Sequence, residues 1–226
     1  MKRLITLTIA LTLSVLAFGQ TVRETLEVST FNRLEVSGAY RVFIRQGPTQ
    51  EVVAIGSEDA IDGLKVEVSN GQLEISTRGF LNTSNSDVRL FITVTQLKSI
   101  SISGAVSLEA KNRIDGSDLD IEASGAADMD LKVDMSNVKV SASGAAEINL
   151  EGRARSCQIE LSGSSSLDAE EWLVSRMSIE ISGASSADVH AIETLEVEAS
   201  GASSVTYRGN PTVDSDISYA SSLTKK

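Results

Sequence analysis

Hydrophobic and polar residues alternate with a period of two along most of the chain, and the alternation is organised around a small triplet of the Ser-Gly-Ala type. The triplet occurs seven times, with its glycine at Gly38, Gly104, Gly125, Gly144, Gly163, Gly183 and Gly201. From Gly104 onward the glycines recur every 18 to 21 residues, and a degenerate copy stands at Ser218-Tyr219-Ala220. Alternation predicts strands with one buried face. A repeat of about 20 residues is typical of a solenoid, whose coils bury their apolar faces by stacking.

Alignment of the triplets on their glycine identifies the positions that face the core. Residues two, four and six before the glycine and four and six after it are apolar in nearly every copy. The column six before it has Lys98 as its exception and includes Cys157 and Val213, whereas intervening positions such as Glu122 and Asp130 are polar. This register predicts an all-β fold, a right-handed parallel β-helix or β-solenoid with coils of about 18–21 residues. A β-sandwich also alternates, but its strands do not keep one register over six consecutive units.

The triplet itself is predicted to form the corner between two strands of a coil. Glycine reaches positive φ without a steric penalty. The residues two positions after the glycine are predicted to fill the narrow corner interior: Ala127, Ala146, Ser165, Ser185 and Ser203. A coil of about 18–21 extended residues encloses only one layer of side chains from each wall. We therefore expect any binding or catalytic site on the outer faces, the edges or the ends of the solenoid.

The first part of the chain is less periodic. Residues 20–95 are predicted to form a β-rich subdomain with one coil-like segment around Gly38, which leads into the solenoid and caps it. Residues 96–226 are predicted to form the regular β-solenoid, as the second part of the same domain. The polar stretch from Asn82 to Asp87 is predicted to be a mobile loop.

Three local patterns add detail. Leu64–Val68 and Leu73–Ile75 alternate on either side of Asn70-Gly71, which predicts a β-hairpin. The segment around Trp172 is predicted either to form one helical turn or to place the indole over an edge of the stack. Lys225-Lys226 is predicted to protect the terminal edge from pairing with another chain.

The amino terminus has the pattern of a secretory signal peptide. Met1-Lys2-Arg3 precedes an apolar run from Leu4 to Phe18, and the expected cleavage site lies before Gln20, so residues 1–19 are predicted to be removed. The apolar run is too short to span a bilayer, and no later segment is apolar enough to do so. We therefore expect an exported protein in the periplasm, on the outer cell surface or secreted.

The net charge and the single cysteine limit the possible partners and the possible covalent cross-links. The formal net charge of −11 becomes −13 (−11 − 2) when Lys2 and Arg3 leave with the signal, which disfavours binding of nucleic acid or anionic lipid through a basic face. Cys157 is the one cysteine, so no intrachain disulfide can form. Its place in an inward column predicts a small core residue.

Candidate chemistry is sparse, and the sequence predicts no catalytic, cofactor-binding or metal-binding residues and no cofactor. His190, the one histidine, falls on the outward parity and is predicted to be solvated. Two acidic clusters, Asp118 with Asp120 and Glu122 and Asp128 with Asp130, lack the spacing of calcium-binding β-rolls and are interpreted as a solvated face. The enzyme alternative is a polysaccharide lyase or hydrolase on the outer solenoid face. With 4% aromatic residues, we expect few stacking platforms for sugar rings.

The repeated triplets, the opening Phe31–Gly38 and the later stretch Val205–Pro211 resemble the family called putative auto-transporter adhesin, head GIN domain. The resemblance implies an exported β-helical domain and brings no established catalytic residues. We therefore expect a non-enzymatic surface or periplasmic interaction module whose ligand is an unidentified protein or glycan. Nucleic acid is not an expected partner, and end-to-end or edge self-association is a further expectation.

Overall fold

The computed structural model describes residues 21–78, 88–218 and 220–226. The predicted signal peptide of residues 1–19, the predicted loop from Asn82 to Asp87, and Tyr219 lie outside these residues. Of these described residues, 71% lie in strands and 3% in helix, which confirms the all-β class.

Strands dominate from one end of the described chain to the other. Their bounds, with that of one short helix, are β1 (Thr21–Thr25), β2 (Arg33–Gly38), β3 (Arg41–Gln46), β4 (Glu51–Ser57), α1 (Glu58–Asp62), β5 (Leu64–Ser69), β6 (Gln72–Thr77), β7 (Arg89–Val94), β8 (Ser99–Gly104), β9 (Ser107–Ala110), β10 (Ile114–Gly125), β11 (Asp128–Ala142), β12 (Glu147–Leu161), β13 (Ser166–Ile181), β14 (Ser186–Ala199), β15 (Ser204–Arg208), β16 (Thr212–Ile217) and β17 (Ser222–Lys225). Within the described residues, no helix has the length and apolar character needed to cross a membrane.

These strands build a β-solenoid of about 7 turns and a curled half-barrel sheet. Each coil has a first wall, which leads into the triplet, and a second wall, which leaves it. Along the first wall the strands are neighbours in the order β5, β6, β2, β8, β10, β11, β12, β13, β14, β16. Along the second wall the order is β1, β4, β7, β3, β9, β11, β12, β13, β14, β15, β17. In these two orders, every pairing that follows β6 on the first wall and β7 on the second wall is parallel. This parallel stacking confirms the solenoid over the β-sandwich.

The Ser-Gly-Ala triplet forms the corner, as predicted. Gly144 has φ of +79°, and the N–H of Ala145 beside it donates to the carbonyl oxygen of Gly125, one coil earlier, at 2.8 Å. A Cβ atom at position 144 would lie 2.8 Å from that same oxygen. Glycine is therefore required both for the turn and for the hydrogen bond that carries the ladder across the corner.

The inward columns are buried, with one wrong prediction. The corner column of Ala127, Ala146, Ser165, Ser185 and Ser203 is 1–2% exposed. Cys157 is 3% exposed, but Val213 of the same inward column is 37% exposed. Val213 lies on β16, which pairs with β14 on one side, so among the described strands no further coil covers it.

Both predictions for Trp172 are wrong. The indole is fully buried inside the continuous strand β13. A register shift between Asn149 and Gly152 moves the residue onto the inward parity and places it opposite Gly152 of the preceding coil.

The first part of the chain contains the predicted coil and hairpin, together with an arrangement that periodicity did not predict. Gly38 lies opposite Gly104, so β2 and β3 form a coil on β8 and β9. β5 and β6 are an antiparallel hairpin about Asn70-Gly71, which have φ of 51° and 75°. β6 and β7 then pair in parallel with the other side of β2 and β3. The chain thus adds a coil beneath its first one.

Antiparallel strands and the helix complete this end of the stack. β5 pairs with β6 on the first wall, and β4 and then β1 follow β7 on the second wall. The buried Ala60 and Ile61 of α1 belong to the same hydrophobic core as the coils. The second wall curls here, and its outer surface forms the candidate site.

Candidate functional site

Alternation along β3 places three charged or aromatic side chains on the outer face of the second wall. Val42 and Ile44 are fully buried. Arg41, Phe43 and Arg45 therefore point outward, because successive side chains of a strand alternate between its faces.

β7 repeats this pattern beside β3. The register places Arg89 next to Arg41, Phe91 next to Phe43 and Thr93 next to Arg45. The two phenylalanine rings stack with their centroids 4.9 Å apart and an interplanar angle of 30°. Parallel pairing of two similar strands thus produces a row of arginines beside a row of aromatic rings.

Lys111 enters the same surface from the end of β9. Its backbone N–H donates to the carbonyl oxygen of Ile44 at 2.8 Å, which fixes the residue beside β3. Its Nζ lies 4.4 Å from the centre of the Phe43 ring and 2.6 Å from the Glu109 carboxylate. The ammonium group is therefore held by a cation–π contact and an ion pair.

β4 and β1 extend the surface on the other side of β7. Val53 lies next to Phe91 and is 1% exposed, and Glu51 lies next to Thr93. Arg23 of β1 is exposed and lines a cavity together with Phe43 and Phe91. The curl of the sheet turns this outer face into a groove with an apolar floor and cationic sides.

We call the surface formed by Arg23, Phe43, Arg45, Phe91 and Lys111 the Arg–Phe groove. It comprises a cavity of about 310 Å³ and an adjoining one of about 780 Å³, which extends to the turn of residues 46–51. Both cavities share Arg45 and Lys111 as lining residues, so they form one continuous depression.

The groove and its flank are cationic although the chain as a whole carries a formal charge of −11. Arg23, Arg41, Arg45 and Arg89 form no ion pair with any carboxylate of the described residues. Arg45 donates from Nε to the Thr93 hydroxyl at 2.9 Å, which orients the guanidinium, and its terminal nitrogens have no hydrogen-bond partner among the described residues. The charged residues that line the two cavities are Arg23, Arg45, Lys111 and Glu51, and Lys111 is paired with Glu109.

Amide side chains fix the rim of the larger cavity. The Gln46 N–H donates to Asn112 Oδ1 at 2.9 Å, and Asn112 Nδ2 donates back to the Gln46 carbonyl oxygen at 2.9 Å. The Asp115 N–H donates to Gln46 Oε1 at 2.7 Å. These bonds hold β3 and the segment after β9 in one position, so the groove is ordered before any ligand arrives.

The predicted candidate residues lie elsewhere. His190 is half-buried rather than solvated, and its Nδ1 lies 3.3 Å from the carbonyl oxygen of Glu170. The Glu170 carboxylate binds Lys226 and, at 2.6 Å, Arg208. The hydrogen bond from Lys226, together with the charge of Arg208, lowers the pKa of Glu170. Burial raises the pKa of the Cys157 thiol, so that group is a poor nucleophile.

The two acidic clusters lie on the outer walls of the solenoid. Asn137 Nδ2 donates to Asp118 Oδ1 at 2.8 Å, and hydrogen bonds from Ser117 and Asn137 lower the pKa of Asp118. Asp128 accepts a hydrogen bond from the Ser107 hydroxyl at 3.4 Å. Across the part of the chain that the structure describes, no three His, Cys, Asp or Glu side chains are grouped to hold a metal ion.

Sequence reasoning missed the Arg–Phe groove for two reasons. The low aromatic content and the negative net charge are averages over the chain, and both conceal a local cluster. A signal is nevertheless visible, because Arg41–Arg45 and Arg89–Thr93 both read Arg, apolar, Phe, Ile and then a polar residue. Their adjacency is set by the β3–β7 pairing, which no repeat in the sequence reveals.

Comparison with known proteins finds relatives at the level of family and fold. The family model for the putative auto-transporter adhesin, head GIN domain, matches residues 30–211. A putative adhesin from Bacteroides fragilis has a TM-score of 0.83 and 19% identity over 91% of this chain and 96% of that chain. A putative lipid binding protein from Parabacteroides distasonis has a TM-score of 0.74 and 16% identity over 92% of this chain and 98% of that chain. A putative adhesin from Parabacteroides merdae has a TM-score of 0.71 and 18% identity over 92% and 97% of the two chains. A comparison with curated proteins finds no match.

Proposed function

Since the chain belongs to the family of putative auto-transporter adhesins with a head GIN domain, we propose that it is an exported, adhesin-like module that binds a ligand without transforming it. The observation that carries the proposal is the Arg–Phe groove, where arginines without carboxylate partners, aromatic rings and a cavity coincide. The parallel solenoid supplies a rigid support, because every coil is hydrogen-bonded to the next along both walls.

The groove chemistry supports binding rather than catalysis. Arginine keeps its proton at any ordinary pH and so does not act as a general acid or base. Glu109 is ion-paired with Lys111, and the Thr93 hydroxyl accepts a hydrogen bond from Arg45. Glu51, which lines both cavities, has no hydrogen-bonded nucleophile or base beside it among the described residues, the arrangement that covalent catalysis needs. Oriented cations with an apolar floor are instead typical of a recognition site.

The enzyme alternative predicts a different result in the same assay. Purified protein would be incubated with polysaccharides and cell-envelope fractions, and both retention and the release of new reducing ends would be measured. We expect retention without cleavage. Cleavage that is abolished by D128N/D130N would overturn the proposal and support a carbohydrate-active enzyme on the outer face.

Export is tested separately by expressing the full chain with a carboxyl-terminal tag and fractionating the cells. We expect the tagged protein outside the cytoplasm, with Gln20 as its first residue. Full-length protein that remains in the cytoplasm would contradict the export part of the proposal.

A further inference from the structure

We infer that the Arg–Phe groove binds an anionic polysaccharide, a chain of sugars bearing carboxylate or sulfate groups. This inference rests on the proposed function and names the ligand class of its binding site. Three properties of the groove support it: the arrangement of its cations, the apolar row between them and its open shape.

The cations of the groove, together with Arg41 and Arg89 on its flank, stand in two rows across the sheet. One row places Arg41 beside Arg89, with Ile55 and then Arg23 following on the next two strands. The other row places Lys111 next to Arg45, four residues further along the strands. Neighbouring strands are about 4.8 Å apart, and residues four apart along a strand are about 13 Å apart. Several anionic groups on one ligand can therefore be bound at once.

The fold gains nothing from the first row. Like charges directly opposite each other destabilise a pair of strands, and Arg41 and Arg89 lie opposite each other without a carboxylate partner in the described residues. The planar guanidinium fork matches a carboxylate or sulfate through two parallel hydrogen bonds. An external anion is thus the partner that this row lacks.

An apolar row separates the two cationic rows. Phe43, Phe91 and Val53 lie side by side on β3, β7 and β4. Such a strip favours a ligand that carries apolar C–H surface between its charges over a fully hydrated inorganic anion. A sugar ring with an acidic substituent has both features.

Two other classes of ligand, an acyl chain and single-stranded nucleic acid, fit the groove less well. An acyl chain would need a cavity that encloses most of its surface, whereas this floor is a single row of side chains on an outer sheet face. Single-stranded nucleic acid is bound by aromatic side chains on which successive bases stack, whereas the Phe43 and Phe91 rings stack on each other. An acidic polysaccharide is the ligand class that satisfies all three properties.

The experiment measures binding of the purified protein to polygalacturonate, dextran sulfate and neutral dextran, at low and at physiological ionic strength. We expect binding to one or both acidic polymers, weaker at the higher ionic strength, and none to neutral dextran. R41Q/R89Q should lower the affinity for the acidic polymers by about tenfold or more, because hydrogen bonds that involve charged groups are stronger than those between neutral groups. F91L, which keeps an apolar side chain, should bind several-fold more weakly at both ionic strengths.

The matched control is R153Q/R176Q, which removes two exposed arginines from the regular coils. It should bind like the unaltered protein, and melting temperatures establish that each variant is folded. An equal loss in this control would show that binding follows net charge, and would overturn the inference.

Two further arms distinguish other ligands. Binding to phosphatidylglycerol vesicles, or a dimer dissociated by R41Q/R89Q, each without binding to acidic polymers, would overturn the inference in favour of a lipid or a second copy. If the exported protein is retained by envelope fractions but by no acidic polymer, the inference fails while the proposed function stands. Cytoplasmic protein or polymer cleavage would instead count against the proposed function.

Discussion

At the corner of every regular coil, the backbone passes closer to its neighbour than a side chain would permit. Gly144 combines φ of +79° with a Cβ position 2.8 Å from the carbonyl oxygen of Gly125. Gly71, in the hairpin turn, has a similar φ of +75° but only Asn32 Oδ1 nearby, at 3.6 Å. Both glycines have a left-handed backbone, but only Gly144 lies too close to a neighbouring backbone atom to accept a side chain. Comparing them therefore separates the cost of the left-handed conformation from the cost of the steric overlap.

Gly71→Ala should lower the free energy of unfolding by about 1–2 kcal/mol, the penalty for a left-handed alanine. Gly144→Ala should lower it by more, on the order of 3–4 kcal/mol, because the methyl group also displaces a hydrogen-bonded carbonyl. Urea denaturation measures both values. Equal losses in the two variants would mean that the close approach at the corner has no energetic weight.

Residue-scale prediction succeeded where a position repeats and failed where it does not. The inward column around Cys157 was predictable because five consecutive coils share it, from Leu119 to Leu195. Trp172 was not, since a single register shift in one coil moves it to the core. Shifts of one residue leave no periodic trace.

Among the elements, the last coil is held by a carboxylate of an earlier one. Glu170 of β13 binds Arg208 at the end of β15 and Lys226 just beyond β17. Lys225 is also engaged, since its Nζ donates to Asn210 Oδ1 at 2.7 Å. These contacts join the last strands of the second wall to the regular stack.

This tether should be pH-dependent. The pKa of Glu170 is lowered in the folded protein, so its ionised form contributes stability above the ordinary pKa of about 4.5, and that contribution is lost as the pH falls through the folded value. Hydrogen exchange of the β17 amides, corrected for intrinsic rates, should show a several-fold loss of protection on acidification. E170Q should show this loss already at neutral pH.

The control is E160Q, which removes an exposed ion pair with Lys139 within the regular coils. Its β17 amides should exchange like those of the unaltered protein. Protection in E170Q that matches the unaltered protein at neutral pH would mean that the tether does not hold the last coil.

The strands of the regular coils could be predicted, and the order of the first ones could not. β10 to β14 repeat one template, so each predicts the register of the next. β6 and β7 pair with β2 and β3 out of chain order, and this swap depends on long-range packing rather than on local pattern. The candidate site was missed for the same reason, because its two arginine–phenylalanine segments meet only through that swap.

Over the whole molecule, charge is distributed unevenly. The Arg–Phe groove lies towards the end formed by β1, β4 and β7, and the opposite end of the first wall is acidic. There Glu196 lies opposite Asp214, and Glu198 lies opposite Asp216. Asp214 and Asp216 stand on β16, an edge strand whose charges discourage pairing with another chain.

Replacing these edge charges should promote end-to-end association. D214T/D216T puts β-favouring neutral residues on the edge, and we expect dimers or longer assemblies in sedimentation velocity at protein concentrations where the unaltered protein forms fewer. D118T/D120T makes the same charge change on β10, which is paired on both sides, and should leave the assembly state unchanged. Association of both variants would attribute the effect to net charge rather than to the edge.

The corner ladder also makes the height of the molecule independent of its recognition chemistry. The groove is built from β1, β3, β4, β7 and the end of β9, and β11 and β12 pair with the strands directly on either side of them, whereas Glu170 of β13 reaches past its neighbour to Arg208 and Lys226. Whole coils of about 19 residues can therefore be inserted between β11 and β12 as spacers, each moving the far end by about 4.8 Å. The number of triplets therefore sets the length of the solenoid without altering the side chains that form the groove.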